Sequence, residues 1–377
     1  MTPDIQPLAA PFAKGHGCQN SFLVLPDPHS RLRLTAADVR RLTDPHAGAG
    51  ADGILRAVHC THTPEATAMA ADAEWFMDYR NADGSPGQMC GNGIRVLARY
   101  LVDTGLCPPG PLPIATRAGL RHTHVPTRRH DFHGPVTVAM GTPYFPGPDR
   151  IIVTTAGRSW RATHVDMGNP HAVVFTENLT DAGDLRTAPA VDPADAYPHG
   201  VTTEFVTALG PRHLALRVYE RGVGETRACG TGACAAVAAH RRRTGQTGAA
   251  EYRVDLPGGR LAISAAADST MALTGPAVIT VQGTLRLPRS EAAAAAARAC
   301  EAAEFSSEPP ILGSPARAGT PTGTEGGGRE AHLHGIDEAG FEVASGRHHD
   351  ERGDATDCPP HLPAASGLAS GRLGRLG

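Results

Sequence analysis

The chain has 377 residues, 41% of them hydrophobic, enough for one or two domains with full cores. Its 35 basic and 38 acidic side chains leave a net charge of −3, with no whole-chain bias toward nucleic acid or a membrane surface. No apolar run reaches the roughly 18 residues of a membrane span, and the first residues lack the basic-then-apolar order of a signal peptide.

In chain order, strand-like runs are predicted over residues 22–25, 74–79, 136–140, 214–219, 251–256 and 277–281, separated by Gly and Pro clusters. Helical patches interrupt them over 35–43, 94–101, 181–185 and 233–243. Many antiparallel strands with few helices make an α+β fold. Gly48-Ala49-Gly50-Ala51-Asp52-Gly53 matches G-x-G-x-x-G in letters only. It follows a helical patch and precedes a strand, the reverse of the order a dinucleotide site needs, so it reads as a turn. After about residue 288 an alanine tract (291–304) leads into a Gly/Pro/Ser/Glu/His-rich tail. Such a composition cannot bury enough apolar area to offset its chain entropy, so 289–377 is expected to be disordered.

Eight cysteines (Cys18, Cys60, Cys90, Cys107, Cys229, Cys234, Cys300 and Cys358) are too irregular for a disulfide scaffold. A cytoplasmic protein with reduced thiols is expected. Two of the eight stand in one repeated cassette: Met89-Cys90-Gly91-Asn92-Gly93 and Ala228-Cys229-Gly230-Thr231-Gly232, 139 positions apart (229 − 90). Each runs straight into a helical patch. A cysteine at a helix start faces free N–H groups and the positive end of the helix dipole, which favour a thiolate and also receive a carboxylate. A lone Cys-Gly is usually a small core residue. Here the glycines, the helix that follows each cysteine and the polar lead-ins (81–85 and 220–226) all point away from that. Zinc would need compact ligand pairs that neither cysteine has, and a turn histidine such as His171 is more often a hydrogen-bonder, so no metal is expected. Two thiols facing one substrate suit moving a proton across a carbon centre.

The matching segments are 14–22 (KGHGCQNSF), 48–55 (GAGADGIL), 81–95 (NADGSPGQMCGNGIR), 167–171 (MGNPH) and 220–235 (ERGVGETRACGTGACA), continued by 254–261 (VDLPGGRL) and 273–278 (LTGPAV). On these the chain resembles the diaminopimelate epimerases, cofactor-independent enzymes of lysine and peptidoglycan precursor synthesis, across about residues 12–285. The resemblance implies two pseudo-symmetric lobes, each of antiparallel strands round a central helix, with the site in the cleft between them. The first lobe would span 1–133 with a returning strand at 275–288, and the second 134–274. It also implies interconversion of LL- and meso-diaminopimelate by Cys90 and Cys229. Backbone N–H groups of Gly91, Asn92, Gly230 and Thr231 would hold the reacting carboxylate. Asn20, Asn81, Asn169, Thr202, Glu220 and Arg221 would form the substrate-binding set, with Arg221 suited to a distal carboxylate. A homodimer is the assembly carried with the resemblance.

Lys14 is the only lysine and has no Schiff-base context, so no pyridoxal phosphate is expected. An ordinary cysteine titrates at about 8.5, so helix dipoles need only shift one of the pair modestly. Three positions depart from the common family form. Serine stands at Ser21 in place of aspartate, Cys18 adds a third thiol, and Thr202 replaces an asparagine used for the distal end of the substrate. A lost hydrogen bond to a charged group costs on the order of 1.5–3 kcal/mol, so Thr202 leaves open a racemase for another amino acid on the same scaffold. Proline racemase-like enzymes resemble Cys-Gly-His at the first cassette, where this chain has Cys-Gly-Asn. A silent binding protein would need neither thiol, and a cysteine hydrolase would leave the second unexplained. Under oxidant and without substrate, Cys90 and Cys229 are expected to form a disulfide that reductant reverses.

Overall fold

The computed structural model describes residues 8–129, 132–147 and 150–287, all within the unit Met1–Pro309; the tail expectation for 289–377 falls outside the described residues. The first lobe begins with β1 (Leu8–Gly17) and β2 (Asn20–Pro26), a hairpin whose two turn residues, Cys18 and Gln19, take positive φ of 52° and 62°. Helix α1 (Ala36–Thr43) starts on a capping box: the Asp38 N–H donates to the Thr35 hydroxyl at 3.2 Å, and the Thr35 N–H returns to the Asp38 carboxylate at 3.0 Å. Strands β3 (Gly53–His59) and β4 (Trp75–Asn81) lead to helix α2 (Gly91–Asp103), then to β5 (Gly110–Thr116), β6 (Gly119–Val125) and β7 (His133–Gly141).

The second lobe repeats this plan. Strands β8 (Ile151–Thr155), β9 (Arg158–Asp166) and β10 (Pro170–Phe175) precede the short β11 (Ala190–Asp192), then β12 (Thr202–Gly210), β13 (His213–Glu220) and β14 (Gly224–Thr226). Helix α3 (Gly230–Thr244) follows, ending on Gly245 in the left-handed region with Arg241, Arg242 and Arg243 in its last turn. Strands β15 (Ala250–Leu256), β16 (Gly259–Ala265) and β17 (Met271–Leu287) complete the chain.

β17 belongs to both lobes. It pairs with β16 up to Thr274, with β7 over Met271 to Val278, and with β1 over Val278 to Leu287. The expected lobe boundary at 274/275 therefore lies inside one continuous strand, where pairing with β16 ends. In the first lobe the strands close a ring in the order β1, β2, β3, β4, β5, β6, β7, β17. α2 threads that ring and touches every strand of it, which is why Gly91 through Val102 are all buried. In the second lobe β17, β16, β15, β13, β12, β10 and β9 run side by side round α3. A two-residue bridge between Tyr144 and Asp166, with N···O distances of 2.9 and 2.7 Å, ties β9 to the chain leaving β7.

Most strand pairs are antiparallel, as the turn-rich sequence suggests, and four are not. β2–β3, β4–β5, β10–β12 and β13–β15 pair in parallel. Parallel neighbours need a crossover, and α1, α2 and α3 supply three of them. The fourth crossover holds the patch expected as a helix at 181–185. There only the 3₁₀ turn Leu179–Ala182 forms, because Gly183 and Leu185 take φ of 71° and 46° and end it. One apolar core runs through both lobes, from Phe22, Leu55, Ile94 and Leu97 to Ala233, Val237 and Val254.

Candidate active site

Both cassettes are helix starts. Cys90 and Cys229 are the N-caps of α2 and α3, each in extended backbone, and each sulfur accepts from the N–H three residues on, Gly93 and Gly232, at 3.4 Å. Serine or threonine usually does this; sulfur does it here. The two helices meet end to end. A Cβ built on Gly91 would lie 3.6 Å from the Gly230 Cα, and one on Gly230 would lie 3.5 Å from the Gly91 Cα. The glycines after each cysteine let two positive helix ends converge on one point.

Asn92 bridges the lobes. Its amide nitrogen donates to Asn20 Oδ1 at 3.1 Å and to the carbonyl of Ala228, the residue before Cys229, at 2.9 Å. Asn20 Oδ1 also lies 3.8 Å from Cys90 Sγ. Asp52 collects the other end of this group, accepting from Asn20 Nδ2 at 2.9 Å and from the Ser21 N–H at 2.7 Å and its hydroxyl at 3.2 Å. In the second lobe Thr231 Oγ1 lies 3.5 Å from Cys229 Sγ, and Thr226 donates its hydroxyl to Glu220. The Thr202 hydroxyl, nearly buried, accepts from the Arg221 N–H at 3.3 Å, while the Arg221 guanidinium is exposed and reaches the His199 carbonyl at 3.3 Å. Asn81 accepts from Tyr79 OH at 2.6 Å and donates to Ser85 at 3.0 Å; Asn169 is half-buried in the turn before β10.

The thiols differ from expectation in one respect. Burial pushes Cys90 up to about 11, with the N–H of Gly93 pulling the other way and Glu220 adding to the rise. Cys229 is raised well above the ordinary value, by burial first and then by Glu220 and Glu204. At both cysteines, desolvation of the thiolate outweighs the helix N–H groups that favour it. Glu220 is itself raised, chiefly by burial.

Four further groups gained no site assignment from sequence reasoning. Asp52 sits in the stretch read as a turn. His171 reads from the sequence as a turn hydrogen-bonder. Its Nδ1 lies 2.6 Å from Glu204 Oε1, both side chains fully buried, with His171 Nε2 and Glu204 Oε2 lacking partners among the described residues. Arg95 is fully buried on α2. It is one of two charges in the largely apolar run 94–101, the other being the equally buried Arg99. Lys14 is bound to the Ala49 carbonyl at 2.9 Å. Among the described residues no three His, Cys, Asp or Glu side chains group to hold a metal ion, and no helix is long and apolar enough to cross a membrane.

The sequence profile described as diaminopimelate epimerase matches residues 12–146 and 163–280. The chain belongs to the diaminopimelate epimerase family. It is 50% identical over 277 residues to the diaminopimelate epimerase of Streptomyces coelicolor, covering 72% of this chain and 94% of that protein. It is 42% identical over 305 residues to that of Acidothermus cellulolyticus, covering 74% and 97%. Among solved structures, a probable proline racemase from Agrobacterium radiobacter K84 superposes with a TM-score of 0.55 at 18% identity, over 75% of this chain and 95% of that one. That likeness is of fold: two-lobed, mostly β, with few helices.

Proposed function

We infer that this protein interconverts LL- and meso-diaminopimelate by a two-thiol proton transfer without a cofactor. The observation that carries the reading is the end-to-end meeting of two cysteine-capped helices, in a chain whose relatives are diaminopimelate epimerases. An amino-acid α-proton is weakly acidic, so the carbanion needs its charge spread onto the carboxylate. The first-turn N–H groups of Gly91, Asn92, Gly230 and Thr231 place fixed positive dipoles where that charge develops. One sulfur, as thiolate, takes the α-proton and becomes a thiol. The other gives its proton to the opposite face of the carbon and becomes a thiolate. The product has inverted configuration and the enzyme has exchanged the roles of its sulfurs. Substrate binding is assigned to Asn20, Asn81, Asn169, Thr202, Glu220 and Arg221, with Arg221 taking the distal carboxylate. Reduced thiols fit the cytoplasm, and the working assembly is read as a homodimer, for which light scattering should return twice the mass of one chain.

Proton NMR in D2O with reduced enzyme and LL-diaminopimelate tests this reading. α-Deuteration with meso product in the wild type, lost in Cys90→Ala and in Cys229→Ala, is expected. Thr202, whose hydroxyl is already engaged by the Arg221 N–H, favours a second reading, a racemase for another amino acid. That reading gains if the wild type exchanges another amino acid and leaves diaminopimelate untouched.

A further inference from the structure

Placing the two lobes in register exposes a broken symmetry behind the thiols. Phe22 faces Gly53 across β2–β3, as His171 faces Thr202 across β10–β12, so Leu55 and Glu204 occupy equivalent places two residues on. A Cβ on Gly93 would lie 3.0 Å from Leu55 and 3.5 Å from Phe22, whereas one on Gly232 would lie 2.6 Å from Glu204 Oε1. The first cassette is backed by an apolar pair, the second by a carboxylate and its histidine. On the helices, five residues after each cysteine stand Arg95 and Cys234.

Arg95 is fully buried, and among the described residues no carboxylate lies within ion-pairing distance of it. Its guanidinium donates to the Gly91 carbonyl and to Asn92 Oδ1, each at 2.9 Å, and to the Pro276 carbonyl at 3.4 Å; Cys18 Sγ lies 3.9 Å away. Glycines make the room: a Cβ on Gly17 would come within 2.9 Å of the guanidinium, and one on Gly275 within 3.2 Å. A buried cation without an anion is costly, which makes sense if an anion forms beside it. Its charge acts on the thiols of Cys18 in the β1–β2 hairpin, Cys90 at the start of α2 and Cys234 on α3. The charge of Arg95 favours a thiolate at Cys90 while Glu220 opposes it and burial keeps the Tyr79 phenol protonated; at Cys229 both Glu220 and Glu204 oppose one.

We propose that Arg95 is a positioning residue whose fixed charge makes Cys90, rather than Cys229, the first of the two thiols to ionise in the resting enzyme. It acts through two groups. The charge-assisted bond to the Gly91 carbonyl polarises the peptide whose N–H belongs to Asn92. The bond to Asn92 Oδ1 holds the amide that spans to Ala228. Ionisation of Cys90 passes its proton to solvent, leaving one thiolate and one thiol across the cleft. This rests on the two-thiol reading but is testable without substrate.

The test is the pH dependence of iodoacetamide alkylation at Cys90 and at Cys229, followed by peptide mass spectrometry on the reduced full-length protein. The midpoint for Cys90 is expected to lie below that for Cys229 by about one pH unit or more. Arg95→Met, shown to be folded by circular dichroism, should raise the Cys90 midpoint by about a unit, a tenfold slower reaction on the rising limb. Arg95→Lys should restore it. Arg95→Gln, which keeps a donor for the Gly91 carbonyl, replaces the methionine variant if that one does not fold. Cys229 ionising first in the wild type, or a folded neutral variant with an unmoved Cys90 midpoint, overturns the proposal. Either result leaves the epimerase reading intact, since that depends on the NMR assay.

Discussion

At the scale of single residues, the site is built from groups whose neighbours leave them little freedom. Gly232 is an example: a Cβ there would fall 2.6 Å from the Glu204 carboxylate, which His171 holds. Gly232→Ala should therefore displace Glu204 or the first turn of α3. We expect at least a tenfold loss of kcat, about 1.4 kcal/mol or more, as a misplaced catalytic group gives. Steady-state kinetics on the purified variant checks this, and wild-type turnover would show that the turn yields without cost. The thiols give a second expectation at this scale. Because burial raises both, activity should climb from about pH 7 to pH 9 as the thiolate fraction grows. A profile flat over that range would mean that bound substrate, not the protein alone, sets the ionisation.

At the scale of elements, α2 is the piece on which the first lobe closes. Leu97 is fully buried at its centre, inside the ring of eight strands. Leu97→Ala should cost about 2–5 kcal/mol, from lost burial plus the cavity left behind. Thermal unfolding should show this as a melting temperature lower by several degrees. Much of the element level was legible beforehand. Residues 35–43, 94–101 and 233–243 fall within or beside α1, α2 and α3, because caps, apolar spacing and glycine stops are local signals. The patch at 181–185 failed because positive φ at Gly183 and Leu185 is imposed by the crossover path, not announced by spacing. The parallel pairings were also hidden, since which strands become neighbours depends on contacts across many residues.

At the scale of the molecule, the six described cysteines are free, and the shifts resolved for Cys18, Cys60, Cys90, Cys107, Cys229 and Cys234 are all upward, burial being the largest cause of each. The sign of the linkage follows. Below about pH 8.5 these thiols hold their protons folded or unfolded and make no difference. Above it the unfolded chain releases protons that the native state keeps, so stability falls by up to about 1.4 kcal/mol per pH unit for each thiol. Melting temperatures should drop between about pH 8.5 and 10.5, and a variant with Cys107 and Cys234 replaced by alanine should drop less steeply. Removing residues 289–377, which lie beyond the span that matches the family, should leave turnover unchanged in the NMR assay.

The sequence by itself determined the chemistry that short spacing can carry. Each cysteine is followed by glycine and a helix, so its role as N-cap and its exposure to free N–H groups follow from a few adjacent residues. The duplication of that cassette foretold two lobes and a pair of sulfurs. Only the tertiary structure decided how hard those sulfurs are to ionise and which groups they face. Desolvation depends on the whole wall of the cleft, and the Arg95 and Glu204 charges reach the thiols through packing of β17, the β1–β2 hairpin and β12 against the two helices. Such long-range burial leaves no pattern in neighbouring residues, which is why nothing in the helical patch 94–101 singles out Arg95 before the ring of strands closes round it.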